Sequence, residues 1–154
     1  MAASMDCKEK ACPHEPFLVH LVMKKAVDRP KKTIVAEFYQ TPRGKEPVRE
    51  WLKALTLDER QAIAVEVRTA EYGWPLGMPT CDGLGDGLWE VRITLKDKIA
   101  RVFFYMEGSR MILLHGIIKK DQVPPKVDVD TARDRKRESE RRLEQLKKKK
   151  EREK

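Results

Sequence analysis

The fold is decided between residues 88 and 120, where the chain reads LWEVRITLKDKIARVFFYMEGSRMILLHGIIKK. Three runs rich in β-branched and aromatic residues, a composition typical of β-strands, span residues 88–95, 98–106 and 111–118. Only Lys96-Asp97 and residues 107–110, which include Glu107-Gly108-Ser109, separate these runs, and links this short favour hairpins. The stretch therefore predicts an antiparallel meander.

One strand and two helices are predicted before the meander. TIVAEFY at 33–39 has the composition of a strand, and Pro47 suits the first position of a helix with apolar residues at helical spacing. Thr56 offers the N-cap of a second helix that ends at Gly73. The Gly- and Pro-rich stretch 74–87 is predicted to be an irregular surface connection.

The predicted order is β-α-α-β-β-β-α, because the chain is helix-forming again beyond residue 126. This order indicates an α+β fold: a small, mostly antiparallel sheet with a helical hairpin on one face and a C-terminal helix. We divide the chain into an irregular N-terminal extension (1–32), a folded domain (33–132) and a charged, basic tail that is helical or disordered (133–154).

Composition bounds the function only loosely. The chain has 154 residues, of which 40% are apolar, enough for one modest core. Its net charge is +8, and residues 133–154 hold 12 Lys and Arg against 6 Asp and Glu, so the excess lies mostly in the tail. That tail is expected either to contact RNA phosphates or to be a solvated helix.

Localisation and metal content are expectations from the cysteines and histidines. An odd number of cysteines, three, and the lack of an apolar run long enough to span a bilayer predict a cytoplasmic protein with no membrane partner. The spacing of Cys7, Cys12, His14 and His20 matches no usual zinc site. We therefore expect no metal and no cofactor.

A two-residue turn at Lys96-Asp97 would set the register of the first hairpin. One face then carries only apolar pairs: Trp89 opposite Phe104, Val91 opposite Val102 and Ile93 opposite Ala100. This face is expected to receive the helical hairpin. The other face has Arg92 opposite Arg101, with Glu90 opposite Phe103, and is expected to be open to solvent.

Two opposed guanidiniums suggest a site, because like charges facing each other on a sheet are destabilising. An arginine pair suits a phosphate and would stabilise the phosphorane formed when a ribose 2′-hydroxyl attacks it. The alternative is that Glu90 or another carboxylate bridges Arg92 and Arg101. Lys119 and Lys120 leave the last strand at the same edge, where they either contact phosphate or are ordinary solvated surface.

The place of His115 depends on the second hairpin. A two-residue turn puts it opposite Val102 in the core, and a three-residue turn puts it opposite Arg101 in the site. The apolar residues around His115 favour the core.

Three motifs, in order, carry a family resemblance: LWEVR at 88–92, IARVFF at 99–104 and LLHGIIKK at 113–120. They resemble the signature of RelE/HigB-type toxins of the RelE/ParE superfamily, in its phage-derived Gp49-like branch, over about residues 33–137. The resemblance implies a RelE-like toxin domain. It also implies a metal-independent endoribonuclease that cuts mRNA on the ribosome and is neutralised by a helix-turn-helix antitoxin encoded nearby.

By motif position the resemblance assigns catalytic roles to Arg92, Arg101, Lys119 and Lys120. Substrate-binding roles are expected for Glu90, His115, Gln122 and Lys126, and the general base stays open. Two other functions are compatible with the sequence: a ParE-like gyrase-binding toxin without nuclease activity, and a non-catalytic nucleic-acid-binding module. An exposed Arg101 would also imply that Arg101→Ala leaves stability unchanged or slightly raised.

Overall fold

The structure is a computed structural model that describes residues 34–75, 77 and 80–154. Its strands are β1 (Val35–Phe38), β2 (Cys81–Gly85), β3 (Leu88–Thr94), β4 (Ile99–Glu107) and β5 (Arg110–Lys119), and its helices are α1 (Pro47–Lys53), α2 (Leu57–Gly73) and α3 (Lys126–Arg152). The sheet order is β1-β5-β4-β3-β2, with β1 parallel to β5 and every other pair antiparallel. The predicted N-terminal extension and its cysteines and histidines lie outside the described residues.

The predicted α+β fold class is confirmed, with one strand more than expected. Strand β2 lies within the stretch predicted to be an irregular connection, and it pairs with β3 through a bulge between Gly83 and Gly85. The sequence did not predict this strand because it contains glycines, and glycine is depleted in strands. Gly83 nevertheless has a reason to be glycine here, since a Cβ at this position would lie 3.3 Å from the Trp89 ring.

Helices α1 and α2 cover one face of the sheet, as predicted. Pro47 begins α1, and α2 begins with a capping box in which the Glu59 amide donates to the Thr56 hydroxyl and the Thr56 amide to the Glu59 carboxylate. The core on this face joins side chains from both helices to the central strands: Val48, Ile63, Ala70, Val91, Val102 and Phe104. Trp74 closes it with edge-on contacts to the Trp89 and Phe104 rings.

The opposite face is covered by α3, so the expectation that it is open to solvent is wrong. Phe103, Tyr105 and Leu114 form a second core there, to which the helix contributes Val129 and Ala132. Polar contacts complete the docking: the Tyr105 hydroxyl donates to Ser139 Oγ at 2.8 Å. Few apolar residues of α3 are buried, which explains why its sequence pattern showed no apolar face.

The second hairpin has the shorter of the two turns considered, with Glu107 paired to Arg110. A bulge then shifts the register: Phe104 pairs with Leu113, but Phe103 pairs with His115. Placing His115 in the core opposite Val102 was therefore wrong, because one inserted residue moves the following side chains to the other face. His115 lies on the face covered by α3.

Substitution of Gly116 tests how closely α1 packs on the sheet. A Cβ at this position would lie 2.3 Å from two ring carbons of Trp51, so Gly116→Ala forces the ring or the strand to move. We expect the free energy of unfolding to fall by about 1–3 kcal/mol in urea titrations. Gly77→Ala is the control, because no other residue that the structure describes has an atom within 4 Å of its Cβ position. Equal stability of the two variants would contradict the close approach.

Candidate functional site

The β3–β4 register places Arg92 opposite Arg101, as predicted. A carboxylate lies between the two guanidiniums: Glu90 Oε1 accepts from Arg101 Nη1 at 2.7 Å and from Arg92 Nη2 at 3.1 Å. The structure thus has the bridging arrangement that the sequence left open as the alternative to a bound anion. Glu90 is completely buried, so this bridge belongs to the interior and not to a solvated surface.

Arg101 is also completely buried, contrary to the exposed position predicted for it. Its Nη2 donates to the main-chain carbonyls of Asp121, at 3.2 Å, and Gln122. Both acceptors belong to the β5–α3 loop, residues 120–125, which folds back over β4. The sequence pattern missed this burial because the covering groups are backbone carbonyls, which any residue provides.

Arg92 reaches solvent, with a side chain that is 23% exposed. It lies 3.8 Å from Oδ2 of Asp82, which is itself 41% exposed and belongs to the strand that the sequence did not predict. Two carboxylates therefore face two guanidiniums, and the cluster is neutral overall. Three of its buried atoms, Glu90 Oε2, Arg92 Nε and Arg101 Nε, have no hydrogen-bond partner in the described part of the chain.

Three lysines bracket the β5–α3 loop. Lys119 ends β5, Lys120 begins the loop and Lys126 begins α3, and all three are exposed. Lys119 lies two residues after buried Ile117, so the two side chains share a face of the sheet. Because Ile117 pairs with Arg101, Lys119 lies on the same face as Arg101. Among the described residues no carboxylate forms an ion pair with any of these lysines.

His115 is held at both ring nitrogens. Arg135 Nη1 lies 3.0 Å from its Nδ1, and Asp128 Oδ1 lies 2.8 Å from its Nε2. Because a guanidinium only donates, Nδ1 is the acceptor and the Nε2 proton is donated to Asp128. The ring also stacks on Phe103. Through its contacts with Asp128 and Arg135, His115 anchors the first turns of α3 to β5. The sequence had singled out neither Asp128 nor Arg135, whose pKa is lowered by burial.

Of the predicted site residues, the structure groups Arg92, Arg101 and Glu90 in one cluster under the loop. Gln122 contributes its main-chain carbonyl to that cluster, while its side chain is exposed. Lys119, Lys120 and Lys126 surround the loop, and His115 is engaged by α3.

Neither a metal-binding cluster nor a spanning helix is found in the part of the chain that the structure describes. No three His, Cys, Asp or Glu side chains there lie close enough together to hold an ion. No helix in the same residues has the length and apolar character needed to cross a membrane.

This element order and sheet define a RelE-like α+β fold, with basic residues gathered where the last strand ends. Residues 50–137 match the family described as phage-derived protein Gp49-like, and the chain belongs to this family. The family is a RelE-like branch of toxins, so the domain is a toxin-like module. No curated protein matches the chain.

Burial of Arg101 reverses the stability effect predicted from the sequence. Arg101→Ala would leave Glu90 buried with one fewer partner and remove the donors of two loop carbonyls, so we expect a loss of about 3–5 kcal/mol of unfolding free energy. Arg92→Ala is the control, because loss of a partly exposed side chain should lower the free energy of unfolding far less. Urea titration measures both variants, and an Arg101→Ala protein as stable as the wild type would refute the buried ion pair.

Proposed function

We propose that this chain is the toxin of a type II toxin–antitoxin system, an mRNA endoribonuclease that acts on the ribosome without a metal ion. The observation that carries the proposal is the set of three unpaired lysines, Lys119, Lys120 and Lys126, around a loop that a buried arginine holds closed. Membership of a toxin-like family supports the same conclusion.

The proposed reaction begins when a ribose 2′-hydroxyl attacks the neighbouring phosphorus. The transition state concentrates negative charge on the phosphoryl oxygens, and preorganised cations stabilise it more than they stabilise the ground state. Lys119 and Lys120 are the candidates for this contact, and an ammonium is also able to protonate the leaving 5′-oxygen. Arg92, whose side chain is 23% exposed, would hold a flanking phosphate.

Arg101 receives a different role from the one expected from the sequence. Because it is fully buried and its Nη1 and Nη2 are bound, we propose that it positions the loop next to the lysines and does not touch RNA. His115 is a poor candidate for the general base, since the one nitrogen able to accept a proton already accepts from Arg135.

A second function is favoured by one observation, the carboxylate between Arg92 and Arg101. A nuclease needs positive charge that is free to bind phosphate, whereas Glu90 and Asp82 together neutralise this arginine pair. A toxin that acts by binding, such as a ParE-like gyrase poison, has no such requirement. The two functions differ in which macromolecular synthesis stops first.

We expect expression without an antitoxin to stop amino-acid incorporation before thymidine incorporation, with mRNA cut inside reading frames. The variant Lys119→Gln/Lys120→Gln should relieve the arrest, because it removes the proposed phosphate contacts. Lys45→Gln/Lys53→Gln makes the same charge change at exposed positions elsewhere on the domain and should remain toxic. Pulse labelling and mapping of RNA 5′ ends provide the measurements.

Two results would contradict the proposal. If thymidine incorporation fell first while mRNA stayed intact, the chain would belong with the gyrase poisons. If the Lys119/Lys120 variant cut mRNA as fast as the control variant, the lysines would not be the catalytic cations.

A further inference from the structure

Helix α3 consists of a docked part and an exposed part. From Asp128 to Leu143 its residues contact the rest of the domain at intervals, first through Asp128 and buried Val129 and Ala132. Arg142 follows, and its Nη1 donates to the Gln40 carbonyl at 2.8 Å. From Glu144 onward every residue is exposed. The nine residues from Glu144 to Arg152 extend the helix by about 14 Å at 1.5 Å per residue.

The two parts differ in how their basic side chains are used. Within the docked part, every Lys and Arg between residues 133 and 142 has a carboxylate, carbonyl or imidazole partner. The ion pairs are Arg133–Asp130, Lys136–Glu140, Arg137–Asp134 and Arg142–Glu138. In the exposed part Lys147–Lys150 form no ion pair with any residue that the structure describes. Five cations and one carboxylate lie between Lys147 and Arg152.

The four consecutive lysines point in different directions around the helix. At 100° per residue, Lys147 to Lys150 are spread over about 300° of the helix circumference, so no face is neutral. Leu146 is the one apolar side chain of residues 144–152, and it is 58% exposed. A helix that lies on a lipid surface needs an apolar face opposite its charged one, and this segment has none.

We infer that the exposed end of α3, Lys147–Arg152, is a second RNA-binding element that contacts the phosphates of structured RNA. Cations on all sides of a helix match a partner that presents phosphates on more than one side, as the several backbone segments of a folded RNA do. The contact is with phosphates, so it is independent of sequence and sensitive to salt. It supplies affinity for RNA apart from the lysines at the end of β5, and it does not depend on RNA cleavage.

The test uses the full chain and a 2′-O-methyl RNA hairpin, which has no 2′-hydroxyl to attack and stays intact. The variant with Lys147, Lys148, Lys149 and Lys150 all changed to Gln keeps a residue of similar helix propensity. The matched control changes Arg43, Lys45, Lys53 and Lys96 to Gln, four exposed cations on the domain. Fluorescence anisotropy gives the dissociation constants between 50 and 200 mM salt.

We expect the tail variant to bind the hairpin about 10- to 100-fold more weakly at 50 mM salt, with a salt slope smaller by about 2 to 4, as expected for four lost phosphate contacts. The control should stay within about 3-fold of the wild type. Equal losses in both variants, or no loss in either, would overturn the inference. Tighter binding of the wild type to phosphatidylserine vesicles than to the hairpin would overturn it in favour of a membrane surface.

Discussion

The buried guanidinium of Arg101 joins three elements of the domain. It lies on β4, pairs with Glu90 of β3 and holds the main-chain carbonyls of Asp121 and Gln122 in the β5–α3 loop. Transferring a charge from water into a protein interior costs several kcal/mol per ion unless partners compensate for the lost hydration. The folded state therefore requires the loop to be closed, and closure determines where Lys119 and Lys120 leave the sheet.

Docking of α3 depends on the same closure, because the helix begins directly after the loop. Its first turns are anchored by the contacts of His115 with Asp128 and Arg135, and only two of its residues are buried apolar ones. Hydrogen bonds of this kind contribute roughly 0.5–1.5 kcal/mol each, less than a fully buried large side chain. Polar contacts thus decide how the helix lies on the second face, while the first face is held by apolar packing.

The parts of the structure that follow from local periodicity were predictable from sequence. The meander, the helical hairpin and the register of β3 on β4 depend on alternation and turn length, and these patterns are explicit in the chain. The bulge beside His115 and strand β2 left no such pattern. The site was predicted only in part: opposition of Arg92 and Arg101 followed from the register, but burial of Arg101 depends on backbone carbonyls that carry no sequence signal.

Under the proposed function, Arg101 acts on RNA cleavage by positioning the loop. The double variant Glu90→Met/Arg101→Met replaces the buried pair with apolar side chains of similar size, so it should fold with a stability within about 2 kcal/mol of the wild type. Its rate of RNA cleavage in a translation extract should fall by about 100-fold or more, because the loop and its lysines lose their anchor. A folded double variant that cleaved RNA at the wild-type rate would contradict this positioning role of Arg101.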